Sequence, residues 1–457
     1  MRPHNNWHIF VGCKHAGFFL IDVNPVPQNM LARLVDVQPQ ERGALLFSFA
    51  YFFCLLCAYY LLRPLRDALG LHSGAGQLPW LFTATFFAML VLVPLFGAVA
   101  TRWPPRKFVP YVYRFFTLNI LGFGALFATG IHEETVARVY FVWISVFNLF
   151  VVSIFWSVMA DHFSNEQGRR LFGFIAAGGT AGALAGPALT ASLVAALGPA
   201  ALAVLAALLL ELAVQCCARV TRSAAPINSD RFNTRLDGGI FAGITLILRD
   251  RYLLSIVLYL LLHTLASTFL YLEQGRIVAD RLPDTVSRTR FFASVDLAVS
   301  CFAIVLQLAV TGRFLQRFGV VSALVLLPVI SVIAIAGLAL MPGLLMLGLA
   351  QGTRRAVDYA IVRPAREVLF TVVSRASKYK AKSVIETVVY RGGDAASGWL
   401  FAGLAALGIG FSGLAILFVP LAAAWTGLAL RLGATQEERA GFPNRVGKGI
   451  SDKRGFE

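Results

Sequence analysis

The chain has 457 residues, 58% of them hydrophobic and only 14% charged, with a mean hydropathy of +0.71. A soluble chain carries about 25% charged residues, so a water-soluble enzyme is excluded in favour of an all-α polytopic membrane protein. The net charge of +16 and the pI near 10 would suit a nucleic-acid binder. Lys and Arg gathered in loops between apolar runs account for the charge without nucleic acid, and the partner expected is the lipid bilayer.

Residues 1–42 read as an N-terminal cytoplasmic segment. Within it, 1–29 show no periodicity, and Met30, which opens a more regular stretch, is a candidate start of translation. Apolar runs long enough to cross a bilayer need about 20 residues. They are predicted at 44–62, 79–100, 108–130, 138–160, 171–195, 199–218, 252–272, 292–311, 320–341, 343–370, 388–409 and 411–432. These twelve spans form an N-terminal six-helix bundle over 43–218 and a C-terminal one over 252–432. A basic linker, 219–251, joins them, and 433–457 is a cytoplasmic tail. Span 10 is charged along its second half and scores poorly on hydropathy alone.

Loop charges set the orientation. With both termini inside, the cytoplasmic loops hold Arg102, Arg106 and Lys107, then Arg169 and Arg170, Arg219 and Arg222, Arg313 and Arg317, and Lys378, Lys380 and Lys382. The outer loops after spans 5, 9 and 11 have no Lys or Arg, as the positive-inside rule requires. One loop dissents, with Arg276, Arg281, Arg288 and Arg290 outside, partly offset by Asp280 and Asp284. The location expected is a bacterial inner membrane, multi-pass.

The two halves look duplicated. Gly97 through Arg102 after span 2 resembles Gly312 through Arg317 after span 8, and Gly178-Gly179 in span 5 matches Gly392-Gly393 in span 11. Both pairs of landmarks lie about 215 positions apart. Six plus six spans is the parallel-repeat plan of major-facilitator transporters, which hold substrate near the midplane between halves. Gly178, Gly182 and Gly186, spaced by four, predict a helix face for close packing. Cys54 and Cys57 lie inside the first span and read as membrane-core packing, with no metal site implied.

The polar residues concentrate on spans 1, 4, 7 and 10. Span 1 ends in Tyr59-Tyr60-Leu61-Leu62-Arg63-Pro64-Leu65-Arg66-Asp67, and span 10 in Tyr359-Ala360-Ile361-Val362-Arg363-Pro364-Ala365-Arg366-Glu367. Both read Tyr-x-x-x-Arg-Pro-x-Arg-acid. Span 10 also carries Arg354, Arg355 and Asp358, span 4 carries Asn148 and Trp156, and span 7 ends near Glu273. A charge at mid-bilayer costs about 2.5–3.5 kcal/mol even on the lenient insertion scale, so these groups are expected to face a watery cavity. Guanidinium stays charged and offers a planar fork of donors that matches phosphate or carboxylate. Arg63 and Asp67, and Arg363 and Glu367, are four apart and are expected to pair on one helical face. The second arginine of each motif is left for an anion. Asp67, Glu273, Asp358 and Glu367 are the candidate gating or coupling acids. If protons are coupled, Glu273, Asp296 or His263 would carry them. Tyr59, Tyr359 and Trp156 are candidates to stack on a ring, although such aromatics are more often core.

At these residues the sequence resembles the nucleotide (ATP/ADP) carriers of plastids and intracellular bacteria and their bacterial relatives. The first-span motif of that family falls on Tyr59 through Asp67, its tenth-span motif on Tyr359 through Glu367, and its Lys-x-Lys-x-Lys pattern on Lys378, Lys380 and Lys382. The resemblance covers about residues 40–432 and implies that the essential basic residues are Arg66 and Arg366. Two departures stand out. Asn148 occupies the place of a span-4 acid, and the family's two lysines are arginines here. The resemblance implies ATP/ADP exchange by a major-facilitator-like fold.

The function expected is therefore a secondary active transporter of an anionic, phosphorylated solute, with nucleotide exchange as the specific form. Carriage of another organic anion coupled to protons, or a non-transport scaffold, are the rivals. No Gly-x-x-x-x-Gly-Lys-Ser/Thr loop is present in the sequence to hydrolyse ATP. No enzyme chemistry, cofactor or metal is expected, and the carrier is expected to be a monomer.

Overall fold

The computed structural model describes residues 37–100, 105–130, 133–223 and 239–441; residues 1–29, with the candidate start at Met30, lie outside them. All regular structure among the described residues is helical. Spans 1 to 4 are the helices Arg42–Leu69, Leu78–Ala100, Pro105–Thr129 and Glu133–His162. Spans 5 and 6 share the helical run Asn165–Ser223, which breaks at Gly198 with φ of 73°. Only glycine takes that left-handed conformation freely, and Pro199 starts the next helix. A short helix, Gly239–Arg249, precedes span 7, Arg251–Arg281.

Span 8 begins as Thr285–Leu306 and passes through a π-turn, Gln307–Thr311, into the run Gly312–Leu340. That run breaks at Gly319, φ 75°, where span 9 begins. Span 10 is Leu344–Val357, a π-turn over Asp358–Val362, and Arg363–Leu369. Span 11 is built likewise from Arg375–Val384, Ile385–Val389 and Tyr390–Ala406, and span 12 is Phe411–Arg439. Among the described residues, eight helical stretches are long and apolar enough to cross a membrane. Two of these each hold a pair of spans, and spans 10 and 11 fall below the threshold because of their charges. The helices outrun the apolar runs at several ends, because hydropathy sees only the lipid-depth portion. Polar caps extend the rest: Asp250 accepts from the Tyr252 amide at 2.8 Å and Asp284 from the Ser287 amide at 2.8 Å.

Each half has its own core. Leu45, Tyr51, Phe147 and Leu210 belong to the N-terminal one, and Leu253, Leu327, Leu347 and Trp425 to the C-terminal one. The glycines of span 5 lie against the backbone of span 1. A Cβ on Gly186 would stand 2.8 Å from the Cys57 carbonyl, and Gly178 and Gly182 meet the Phe49 and Phe53 carbonyls more closely still. In the second half Gly393 of span 11 faces Thr264 of span 7, where a Cβ would lie 3.1 Å from the side chain. Span 5 on span 1 and span 11 on span 7 is one arrangement used twice, six spans apart.

The halves are joined mainly at the end where span 1 turns into span 2. There the Arg288 Nη1 donates to the Leu71 carbonyl at 3.3 Å, and Trp399 Nε1 donates to Thr83 Oγ1 at 2.9 Å. Trp80 packs edge-on against Trp399 with centroids 4.7 Å apart. Farther in, Ser300 Oγ donates to the Ala183 carbonyl at 3.3 Å, tying span 8 to span 5.

Candidate functional site

Two prolines set the local geometry. Pro364 has no amide hydrogen and cannot serve the carbonyl four residues before it, at Ala360. The helix widens there into the π-turn Asp358–Val362. Thr311 of span 8, itself at the end of a π-turn, donates its hydroxyl to the Ala360 carbonyl at 2.9 Å, so the freed acceptor is satisfied within the membrane. Near Pro64, Thr190 donates to the Leu61 carbonyl at 2.8 Å and Tyr140 to the Leu62 carbonyl at 3.2 Å. Each span thus holds arginines beside its proline; span 10 widens there, whereas span 1 stays one continuous helix over Arg42–Leu69.

Between the halves lies a cavity of about 170 Å³. Its charged lining is Arg63, Arg354, Arg355 and Arg363 against Asp67, Asp296 and Asp358. Asp296 of span 8 is 3% exposed and sits between two arginines. Arg355 Nη2 of span 10 donates to its Oδ1 at 2.6 Å, and Arg63 Nη1 of span 1 approaches Oδ2 at 3.7 Å. One carboxylate thus spans the two halves. Asp358 serves a second pair: Arg363 Nε lies 3.3 Å from Oδ2 and Arg366 Nη2 3.5 Å from Oδ1. Tyr359 lies beneath Arg363, whose guanidinium carbon is 4.1 Å from the ring centroid. Arg354, 3% exposed, donates to Ser267 Oγ, while its buried Nε has no hydrogen-bond partner. Desolvated guanidinium groups with spare donors favour an anion in the space they face.

Arg66 and Arg366 stand behind the lining. Arg66 donates to Asp67 Oδ1 from Nε at 2.9 Å and Nη2 at 2.6 Å, with Phe141 on its face at 4.8 Å. Tyr271 of span 7 donates to the same Asp67 oxygen at 2.9 Å, a further link between halves. Arg366 donates to the Tyr390 hydroxyl at 3.0 Å. Lining and backing residues together set six guanidinium groups against three carboxylates, an excess of three positive charges around one small space.

The expected pairs within each motif do not form. Arg63 goes to Asp296 instead of Asp67, and Asp67 takes Arg66. Arg363 takes Asp358, five residues back across the π-turn, while Glu367 pairs with Lys382. Arg363 and Glu367 share the regular helix Arg363–Leu369, where four-residue spacing still holds, yet each takes another partner: Asp358 across the π-turn and Lys382 of span 11. Of the other candidates, Tyr359 lines the cavity. Tyr59 is buried against Tyr60, their centroids 5.1 Å apart. Trp156 packs on Phe52 and Phe172 away from the cavity, and Asn148 is half-buried on span 4 outside the lining. Glu273 is fully buried with Arg276 at 2.8 Å, outside the lining. His263, Ser267, Tyr271, Gln274 and Gln351 complete the polar wall. Asp296 could have been given its role from sequence. It sits in an apolar run with no basic residue three or four positions away, so its partner had to come from another helix.

The sequence profile of the Major Facilitator Superfamily matches residues 43–353. No curated protein matches the chain by sequence. Many solved structures share the fold, among them the following three. The nucleoside transporter NupG is 13% identical, with a TM-score of 0.55 over 89% of this chain and 100% of its own. A bacterial homolog of the human lysosomal transporter Spinster, in an inward-facing and unoccupied conformation, is 14% identical, with a TM-score of 0.57 over 88% and 99%. A POT family transporter in complex with 5-aminolevulinic acid is 12% identical, with a TM-score of 0.58 over 87% and 96%. Paired six-helix bundles, a charged cavity between them and a profile match over most of the chain agree: this protein belongs to the Major Facilitator Superfamily and is a multi-pass membrane transporter.

Proposed function

We propose that the transporter carries a multivalent, phosphorylated organic anion between the two bundles by alternating access. The observation that supports this best is the excess of three positive charges around the cavity, contributed by spans 1 and 10 of opposite halves. Asp296 and Asp358 occupy the arginine forks when no substrate is present, and an incoming phosphate exchanges places with them. With both termini in the cytoplasm of a bacterial cell, the joined end faces outward and substrate enters from inside.

Nucleotide exchange of the ATP/ADP type is the larger-substrate form of this function, supported by the motifs at Tyr59 through Asp67 and Tyr359 through Glu367. A smaller organic phosphate is the compact form, supported by the cavity volume. At about 170 Å³ it lies below the ~300 Å³ at which pockets for drug-sized ligands begin, so a nucleotide requires the halves to part further. Purified carrier in liposomes preloaded with unlabelled ATP should take up labelled ADP faster than in empty liposomes. Uptake of glycerol phosphate without any nucleotide uptake would assign the compact form. Failure of every phosphorylated anion, under any gradient, would end the proposal.

A further inference from the structure

Most of the guanidinium groups at the cavity have a carboxylate partner. Arg63 and Arg355 share Asp296, Arg363 and Arg366 share Asp358, and Arg66 takes Asp67. Arg354 is in no ion pair among the described residues, since Asp358, four residues on, is held by the other two arginines. It is buried, its hydrogen bond goes to the neutral Ser267 hydroxyl of span 7, and its Nε has no partner. A buried charge without a partner stays desolvated and uncompensated. The site is therefore complete only when a ligand supplies the missing negative charge.

Arg354 and Arg355 are consecutive, and an α-helix turns by about 100° per residue. Their side chains therefore splay to different helices, Arg355 to Asp296 of span 8 and Arg354 to Ser267 of span 7. One cavity thus holds two anion positions. The span-8 position is a pair of arginines from opposite halves, suited to the several oxygens of a phosphate. The span-7 position is one guanidinium beside the Ser267 hydroxyl and the amides of Gln274 and Gln351, with His263 Nδ1 on the same wall also lacking a hydrogen-bond partner. A carboxylate matches one uncompensated positive charge, whereas a phosphate at about −1.5 to −2 would leave negative charge unbalanced there. We infer that the substrate is a short phosphorylated carboxylic acid, with its phosphate between Arg63 and Arg355 and its carboxylate on Arg354. This rests on the anion-carrier reading above and narrows it. A phosphate dianion plus one carboxylate also matches the excess of three positive charges, and a three-carbon skeleton suits a space of about 170 Å³.

The test is calorimetric titration of the purified full-length carrier with phosphoglycerate and with glycerol phosphate, which differ only in a carboxylate against a hydroxymethyl group. Wild type should bind phosphoglycerate at least ~10-fold more tightly, the effect of one charge-assisted hydrogen bond made or left unmade. Arg354→Gln should cut that advantage to below about twofold, and Arg354→Lys, which keeps the charge, should restore part of it. The wild-type ratio decides the question even where a variant does not fold. Equal binding of the two by wild type, binding of pyrophosphate or ADP without phosphoglycerate, or an undiminished advantage in Arg354→Gln would overturn this inference while leaving the anion-carrier reading in place. No binding of any of these anions by wild type would end both.

Discussion

Replacing Asp296 by Asn removes one charge and almost no volume. Asp296 is 3% exposed, and the Arg63 and Arg355 side chains are each 16% exposed, so solvent screens this triad little. Removing one partner from a buried ion pair costs about 3–5 kcal/mol, because the remaining charge stays desolvated. Here two guanidinium groups from opposite halves lose the same carboxylate. The residual exposure of both arginines places the expected loss near 3 kcal/mol, the lower end of that range. Thermal unfolding of the purified carrier, followed by tryptophan fluorescence, should show a clearly lowered midpoint for Asp296→Asn. Asp280→Asn, on an exposed acid, should leave it unchanged. Adding pyrophosphate should raise the midpoint of Asp296→Asn more than that of wild type, since the anion now enters a vacant fork. An Asp296→Asn midpoint equal to wild type would refute the idea that this carboxylate holds the two halves' arginines together.

The resemblance and the geometry rank the arginines differently, and transport can separate them. Arg63→Ala and Arg355→Ala should each cost about 2–5 kcal/mol of anion binding, at least ~30-fold in affinity, whereas Arg66→Ala and Arg366→Ala should act mainly by misplacing Asp67 and Asp358; equal binding losses at all four would favour the motif-based assignment. Arg355→Lys should be milder than Arg355→Ala in the same binding assay, because the charge remains while the planar fork is lost. Thr311→Val should cost about 1–3 kcal/mol by leaving the Ala360 carbonyl unserved, read as a lowered unfolding midpoint. Gly186→Val should destabilise by about 1–3 kcal/mol or more through overpacking against Cys57 and Tyr60, which limited proteolysis in membranes would detect.

Much of the fold was legible because a bilayer imposes one rule everywhere: backbone polar groups must be satisfied internally, so apolar runs become helices. The glycines of span 5 were equally readable, since small residues spaced by four leave a smooth face. Residues near the cavity were legible as charges in apolar runs, the pattern at Arg354, Arg355 and Asp358. Their partners were not. Four-residue spacing along one helix permits an ion pair but does not choose it, and Arg63, Arg363 and Glu367 each took a partner from another helix or from across the π-turn. Asp296 joins helices far apart in sequence, and no local spacing encodes such a pairing. Trp156, a candidate to stack on a ring but of a type more often found in the core, packs on Phe52 and Phe172.

The central claim is that arginines from both halves bind one multivalent phosphate anion in the cavity. Calorimetric titration of ADP, and separately of pyrophosphate, into the purified carrier measures it directly. The expected result is saturable binding of at least one of them to wild type, weakened by added salt and lost in both Arg63→Ala and Arg355→Ala, one from each half. Binding that survives both substitutions, or no binding of either anion to wild type, would contradict it.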